Sequence, residues 1–176
     1  MKNKKTVPNQ VERIMADNEV IISKTDIKGK ITYGNRTFQE YSGFKEQDFL
    51  GVQHNIVRHP DMPRAVFKLL WDELQAGREV FAFVKNLCKD GSFYWVFANV
   101  TPSYDLKNNV VGYFSVRRKP NRQALPHVAN LYQKMLSAER QAGSRDAIDA
   151  STQILQEVLS CARLSYGTWI MDLQNP

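Results

Sequence analysis

No stretch of this 176-residue chain approaches the roughly 18 consecutive apolar residues that a membrane-spanning helix needs. The basic start Met1-Lys2-Asn3-Lys4-Lys5 is not followed by the apolar run of a secretory signal. The expectation is a cytoplasmic protein without direct membrane insertion. Cysteine is nearly missing: Cys88 and Cys161 stand far apart, with no CxxC or Cys/His spacing, so they offer no zinc site and read as reduced, half-buried thiols. No Gly-rich phosphate loop occurs, and His54, His59 and His127 have no evident nucleophile partner, so no catalytic set emerges and an enzyme is not expected. A dense basic face with interleaved aromatics is also missing. The net charge of +6 comes from 24 basic against 18 acidic residues, and the basic ones fall in short groups, Lys2/Lys4/Lys5 and Arg117-Arg118-Lys119, that read as solvated tails and linkers. Nucleic acid is therefore not an expected partner.

What is present is a globular balance, 43% hydrophobic and 24% charged, in a length suited to one domain with appended helix. Val11, Ile14 and Met15 recur at helical spacing and predict a short amphipathic helix closing a charged leader over residues 1–18. Glu19 to Ser23 and Ile31 to Tyr33 read as a hairpin across the turn Asp26-Ile27-Lys28-Gly29-Lys30. Short helices at Thr37 to Tyr41 and Lys45 to Phe49 follow, punctuated by Gly43 and Gly51. From Pro63 to Gln75, Val66, Leu69, Leu70 and Leu74 recur at three- and four-residue intervals, with Phe67 and Trp71 beside them and Gly77 as the stop. Val80 to Lys85, Phe93 to Pro102 and Val110 to Arg117 are β-branched and aromatic runs separated by turn residues, which predicts three antiparallel strands. Two strands, a helical cluster and three strands make an α+β domain over residues 19–118: a five-stranded antiparallel sheet with helices over one face and a small-molecule site between the layers. Residues 119–176 read as a helical extension, with Val128, Leu131, Tyr132, Met135 and Leu136 on one side of its first helix and interruptions at Pro126 and Gly143.

The richest local chemistry lies in Asn55-Ile56-Val57-Arg58-His59-Pro60-Asp61-Met62-Pro63. Pro60 and Pro63 fix their own φ and push His59 and Met62 towards extended geometry, so a cation, an imidazole and a carboxylate project from a stiffened loop. A cofactor cleft is one reading; a polar helix start capped by Asp61 is the other. Arg58 suits a pyrophosphate, since a guanidinium donates two parallel hydrogen bonds. An amide such as Asn86 both donates and accepts, matching the edge of an isoalloxazine ring. Trp71 suits either an aromatic ligand or the core.

The run from Gln53 to Pro63, then Phe67 and Trp71, Val84-Lys85-Asn86, Gly91, Tyr94-Trp95-Val96 and Ala98-Asn99-Val100-Thr101-Pro102 resembles the flavin-binding PAS domain of bacterial aerotaxis (energy-taxis) receptors. The resemblance spans roughly residues 19–118. It implies the PAS fold, FAD as cofactor, and Arg58, His59, Asp61 and Trp71 as residues required for FAD binding, with Asn86, Asn35 and Phe67 completing the candidate set. It further implies a stand-alone sensor of redox or energy state, signalling by shape change to a separate membrane-bound chemoreceptor and recruited by it to the inner membrane, with homodimerisation through the terminal helices. The alternatives are a haem-binding gas sensor with His54 or His59 as axial ligand, and a cofactor-free interaction module. A blue-light photoadduct sensor is disfavoured, because Cys88 falls in or beside a strand. One departure is plain: the family's Pro-Trp pair before the Val-Lys-Asn strand reads Glu79-Val80 here, which removes one ring surface. Tyr33, Phe38, Phe81 and Phe83 are the aromatic candidates to replace it.

Overall fold

The computed structural model describes residues 6–175; the basic group Lys2/Lys4/Lys5 lies outside them. Strands β1 (Ile21–Asp26) and β2 (Ile31–Gly34) form the first hairpin. Its turn is held by the Asp26 carboxylate, whose Oδ1 accepts from the Lys28 and Lys30 amides at 2.8 and 2.9 Å. Gly29 takes the positive φ of 76° that this turn demands, and a Cβ there would meet the Trp71 ring at 3.3 Å. Helices α1 (Arg36–Ser42) and α2 (Glu46–Phe49), a 3₁₀ turn (His54–Val57) and α3 (Arg64–Gln75) lead to β3 (Val80–Leu87), β4 (Phe93–Tyr104) and β5 (Val110–Arg118). The five strands form one antiparallel sheet in the order β2-β1-β5-β4-β3.

Side chains alternate across a strand, so residues two apart share a face. On one face stand Ser23 and Thr25 of β1, Val84 and Asn86 of β3, Ala98 and Val100 of β4, and Tyr113, Ser115 and Arg117 of β5, all looking toward α3 and the 3₁₀ turn. On the other face Phe81 stacks on Phe97, and Trp95 stacks on Tyr132 of the C-terminal extension.

The N-terminal segment differs from the expected amphipathic helix. Residues 6–18 carry no helix; they run extended along the start of β4. The Asn9 amide donates to the Gly91 carbonyl, the Phe93 amide to Val11 and the Arg13 amide to Phe93, at 2.7 to 2.9 Å. These partners lie some eighty residues away, so local periodicity carried no sign of them. Met15 is buried, while Val11 and Ile14 are exposed. Arg13 fastens the strap, donating to Ser92, Asp90 and the carbonyls of Glu40 and Tyr41.

The extension is helical as expected. Helix α4 (Leu125–Ala162) breaks at Gly143, whose φ of 75° and ψ of 178° leave the helical region, and α5 (Tyr166–Gln174) follows. Pro126 starts the helix rather than interrupting it, since the first turn has no amide bond to lose. Val128, Leu131, Tyr132, Met135 and Leu136 are all buried. The Tyr132 hydroxyl donates to the Phe83 carbonyl at 2.8 Å, covering part of the open edge of β3.

Candidate functional site

Between the sheet and α3 lies a cavity of about 270 Å³, near the lower bound of about 300 Å³ for small-ligand sites. Its walls are apolar and aromatic: Val57, Phe67, Leu70, Trp71, Leu74 and Tyr113, with Trp71 meeting Tyr113 edge to face at 5.2 Å. Its polar groups collect at the sheet end. Ser23 and Ser115 sit directly opposite each other on β1 and β5, and Arg117 follows two residues along β5. Arg117 is 6% exposed and donates to Ser23 Oγ at 3.0 Å, and its Nη2 lies 2.8 Å from His54 Nε2. Among the described residues no carboxylate reaches it, and burial pushes its guanidinium down to about 10. Burial and the neighbouring Arg117 push the His54 imidazole down to about 3, so it is neutral near pH 7 and can accept from Arg117.

Two buried polar atoms in the wall have no partner, Asn86 Nδ2 and Ser115 Oγ. A buried unsatisfied donor costs of order 1–3 kcal/mol. Ser115 belongs to the Ser23–Arg117 group, while Asn86 stands two strands away from Arg117 and four residues further along the ladder, so donors lie at both parts of a wall that is free of carboxylates. Such a wall fits an acceptor-bearing aromatic ring.

The predicted loop divides in two. Arg58 lines the cavity: its guanidinium lies over the Phe67 ring at 4.3 Å, Nη2 donates to the Met62 carbonyl at 2.9 Å, and its backbone bridges to Asn86. His59 and Asp61 do not line it. His59 is buried beside Phe93, with Nδ1 accepting from the Asp61 amide at 3.0 Å. Burial and Lys85 push its imidazole down to about 4. The Asp61 carboxylate pairs with Lys85 Nζ at 2.7 Å and does not cap α3. Lys85 in turn lies over Phe93, and its amide donates to Met62 Sδ. Asn35 is also outside the cavity. It is the N-cap of α1, accepting from the Phe38 and Ile22 amides and donating to the Val20 carbonyl.

Of the predicted set, then, the structure brings Arg58, Phe67, Trp71 and Asn86 together around the cavity and leaves Asn35, His59 and Asp61 as supports. Sequence reasoning missed Ser23, Tyr113, Ser115 and Arg117, and weighed His54 as a catalytic imidazole or a haem ligand but not as the partner of a buried arginine. A signal for them existed: on each strand the lining residues are two apart, in phase with Asn86 and its cross-strand neighbours. None of the aromatics weighed as replacements for the missing strand Trp lines the cavity. Phe38 packs on Phe49, Phe81 and Phe83 on Phe97, and Tyr33 is exposed. Tyr113 supplies the second aromatic wall instead. Cys88, just past β3, is buried, donates to the Tyr41 carbonyl at 3.1 Å and lies outside the cavity; Cys161 is exposed.

The PAS fold family model matches residues 9–119, which contain the whole sheet and every cavity-lining residue. The chain belongs to the PAS-fold family. This PAS chain is 40% identical over 126 residues to the aerotaxis receptor of Escherichia coli (strain K12), covering 72% of this chain and 24% of the receptor. It is 25% identical over 99 residues to a nitrogen fixation regulatory protein of Klebsiella pneumoniae, 56% of this chain and 20% of that one. The chain thus spans about a quarter or less of these curated relatives. Among solved structures, the light-state blue-light photoreceptor Aureochrome1 LOV aligns with a TM-score of 0.55 and 25% identity, over 62% of this PAS chain and 88% of that domain. The LOV domain of the Erythrobacter litoralis EL346 blue-light activated histidine kinase, at 17% identity and a TM-score of 0.52 over 56% and 94%, shares the fold. Two of these are named as receptors, the aerotaxis receptor and the blue-light photoreceptor.

Proposed function

We propose that this PAS domain holds FAD in the cavity and senses cellular redox or energy state, passing the signal as a shape change to a separate membrane-bound chemoreceptor. The observation that carries this reading is the donor-rich, carboxylate-free inner wall, with the Asn86 amide unpartnered and the Arg117 guanidinium buried and uncompensated. The 40% identity to an aerotaxis receptor supports it. In this role the domain acts in the cytoplasm and is drawn to the inner membrane by its receptor.

The residues fit the group in three ways. Trp71, Phe67 and Tyr113 offer apolar and aromatic surface for a flat ring. Ser115 and Arg117 in one part of the wall, and Asn86 in another, would donate to its acceptors. The cavity is too small for a whole dinucleotide, and Arg58, more exposed than Arg117, would hold the phosphates. Flavin, when bound, supplies reversible uptake of electrons and protons. The chain responds with its own groups. Arg117 favours negative charge beside it, because a buried cation interacts through a low local dielectric. His54 stays a neutral acceptor for Arg117. Asn86 exchanges donor for acceptor by turning its amide, and its backbone bridge to Arg58 carries that turn to the loop. No step turns over a substrate.

Haem gains no support from the geometry. His59 faces away from the cavity, and the Nε2 of His54 is engaged by Arg117 and Ser23. The test is the visible spectrum of the protein after FAD addition, followed by anaerobic reduction and reoxidation. Bound flavin bands in the blue and near-ultraviolet that bleach and return are expected; a protein that stays colourless after FAD addition overturns the proposal.

A further inference from the structure

Helix α3 supplies one wall of the cavity through Phe67, Leu70, Trp71 and Leu74, yet it starts without its own cap. Pro63 at its N-cap position makes no side-chain bond, and the first turn holds no acidic residue. The first amides of a helix have no internal partner, and its N-terminus favours negative charge. Here a carboxylate arrives from 75 residues away: Glu139 of α4 accepts from the Arg64 amide at 2.6 Å. Glu139 is 9% exposed and is the only buried Asp or Glu among the described residues. The same carboxylate opposes the effect of burial on the Arg58 guanidinium, so its charge reaches the loop as well as the helix.

We infer that Glu139 is a positioning residue for the cofactor: by capping α3 from the C-terminal helix, it holds the aromatic wall and the Arg58 loop in the arrangement that retains FAD. This rests on the flavin reading above. Coupling between two events is reciprocal, so if docked α4 favours FAD, bound FAD favours docked α4 by the same factor. The C-terminal extension is thereby part of the site, although none of its residues lines the cavity.

The test uses the full chain and two variants, Glu139→Ala and Glu139→Gln, with amide hydrogen exchange and FAD titration. In cofactor-free protein, Glu139→Ala should speed exchange in the first turn of α3 relative to the sheet amides, which reads the cap without any flavin. Loss of a cap is worth about 1 kcal/mol, so FAD should bind Glu139→Ala about fivefold more weakly. Adding FAD to the wild type should slow exchange across residues 125–142, and in Glu139→Ala this effect should shrink. Glu139→Gln keeps an oxygen that accepts from the Arg64 amide, so it should restore most of both effects, which a loss of general stability would not. The inference is overturned if FAD binds Glu139→Ala as tightly as wild type, or if it binds wild type and leaves α4 exchange unchanged. A wild type that binds no FAD overturns the flavin reading, whereas α3 exchange that is identical in the two cofactor-free proteins overturns the cap.

Discussion

The two ends of the cavity are built in different ways. At the sheet end Ser23, Ser115 and Arg117 rise from paired strands, and their positions are set by the ladder. At the loop end Arg58 and α3 are held by contacts from distant segments: Asp61 to Lys85, Met62 to the Lys85 amide, Glu139 to the Arg64 amide. The sheet end carries costly chemistry, a buried cation without a carboxylate. The loop end is held by ion pairs and hydrogen bonds made within the protein, although His59 Nε2 is buried there without a partner. On the proposed reading, recognition belongs to the first and adjustment to the second.

The largest expected break in this division comes from Arg117→Met. Losing charge-assisted hydrogen bonds to the cofactor is worth about 1.5–3 kcal/mol each, so FAD affinity should fall roughly 100-fold. The stability of the cofactor-free protein in urea should change little, because losing the hydrogen bonds to Ser23 and His54 is offset by removing a buried charge that no carboxylate balances. Asn86→Ala removes one neutral donor and should weaken FAD about tenfold, read by the same titration.

Acid tests both ends together, through His54 beside Arg117 and His59 in the loop. The folded-state values of His54 and His59, about 3 and about 4, lie below the ordinary 6.5. Between those limits the unfolded chain binds protons that the folded chain does not, so the stability these groups contribute is complete above about pH 6.5 and is lost as pH falls toward 3. The slope is at most about 1.4 kcal/mol per pH unit for each group. Urea midpoints measured from pH 7.5 to 4.5 should decline, and His54→Gln should flatten that decline. The smallest effect belongs to Asp61→Asn. Its partly exposed pair with Lys85 is worth up to about 1 kcal/mol. FAD affinity should fall by a few-fold at most, and high salt should shrink the difference between this variant and wild type.

The contrast between the two ends also separates what was legible in the chain from what was not. The hairpin, α3 and the three later strands were readable, because period-two and period-3.6 patterns are local and these segments keep them. Arg117 was hidden by its neighbours: Arg117-Arg118-Lys119 looks like a solvated basic group, yet strand alternation turns Arg117 into the cavity and leaves Arg118 exposed. The loop could be seen to be stiff and polar, but not which way each side chain faced. That choice is made by Lys85, 24 residues beyond Asp61. The first residues were misread for the same kind of reason, since their amides and carbonyls belong to the start of β4. The absent cap of α3 had no local signature at all; Glu139 supplies it from another helix.

The most direct test of the division between the ends is side-chain nuclear magnetic resonance, following the Arg117 guanidinium, the Asn86 amide and the His59 ring as FAD is added. Large shifts at Arg117 and Asn86 with only small ones at His59 are the predicted result. Large shifts at His59 with Arg117 and Asn86 unmoved would contradict it.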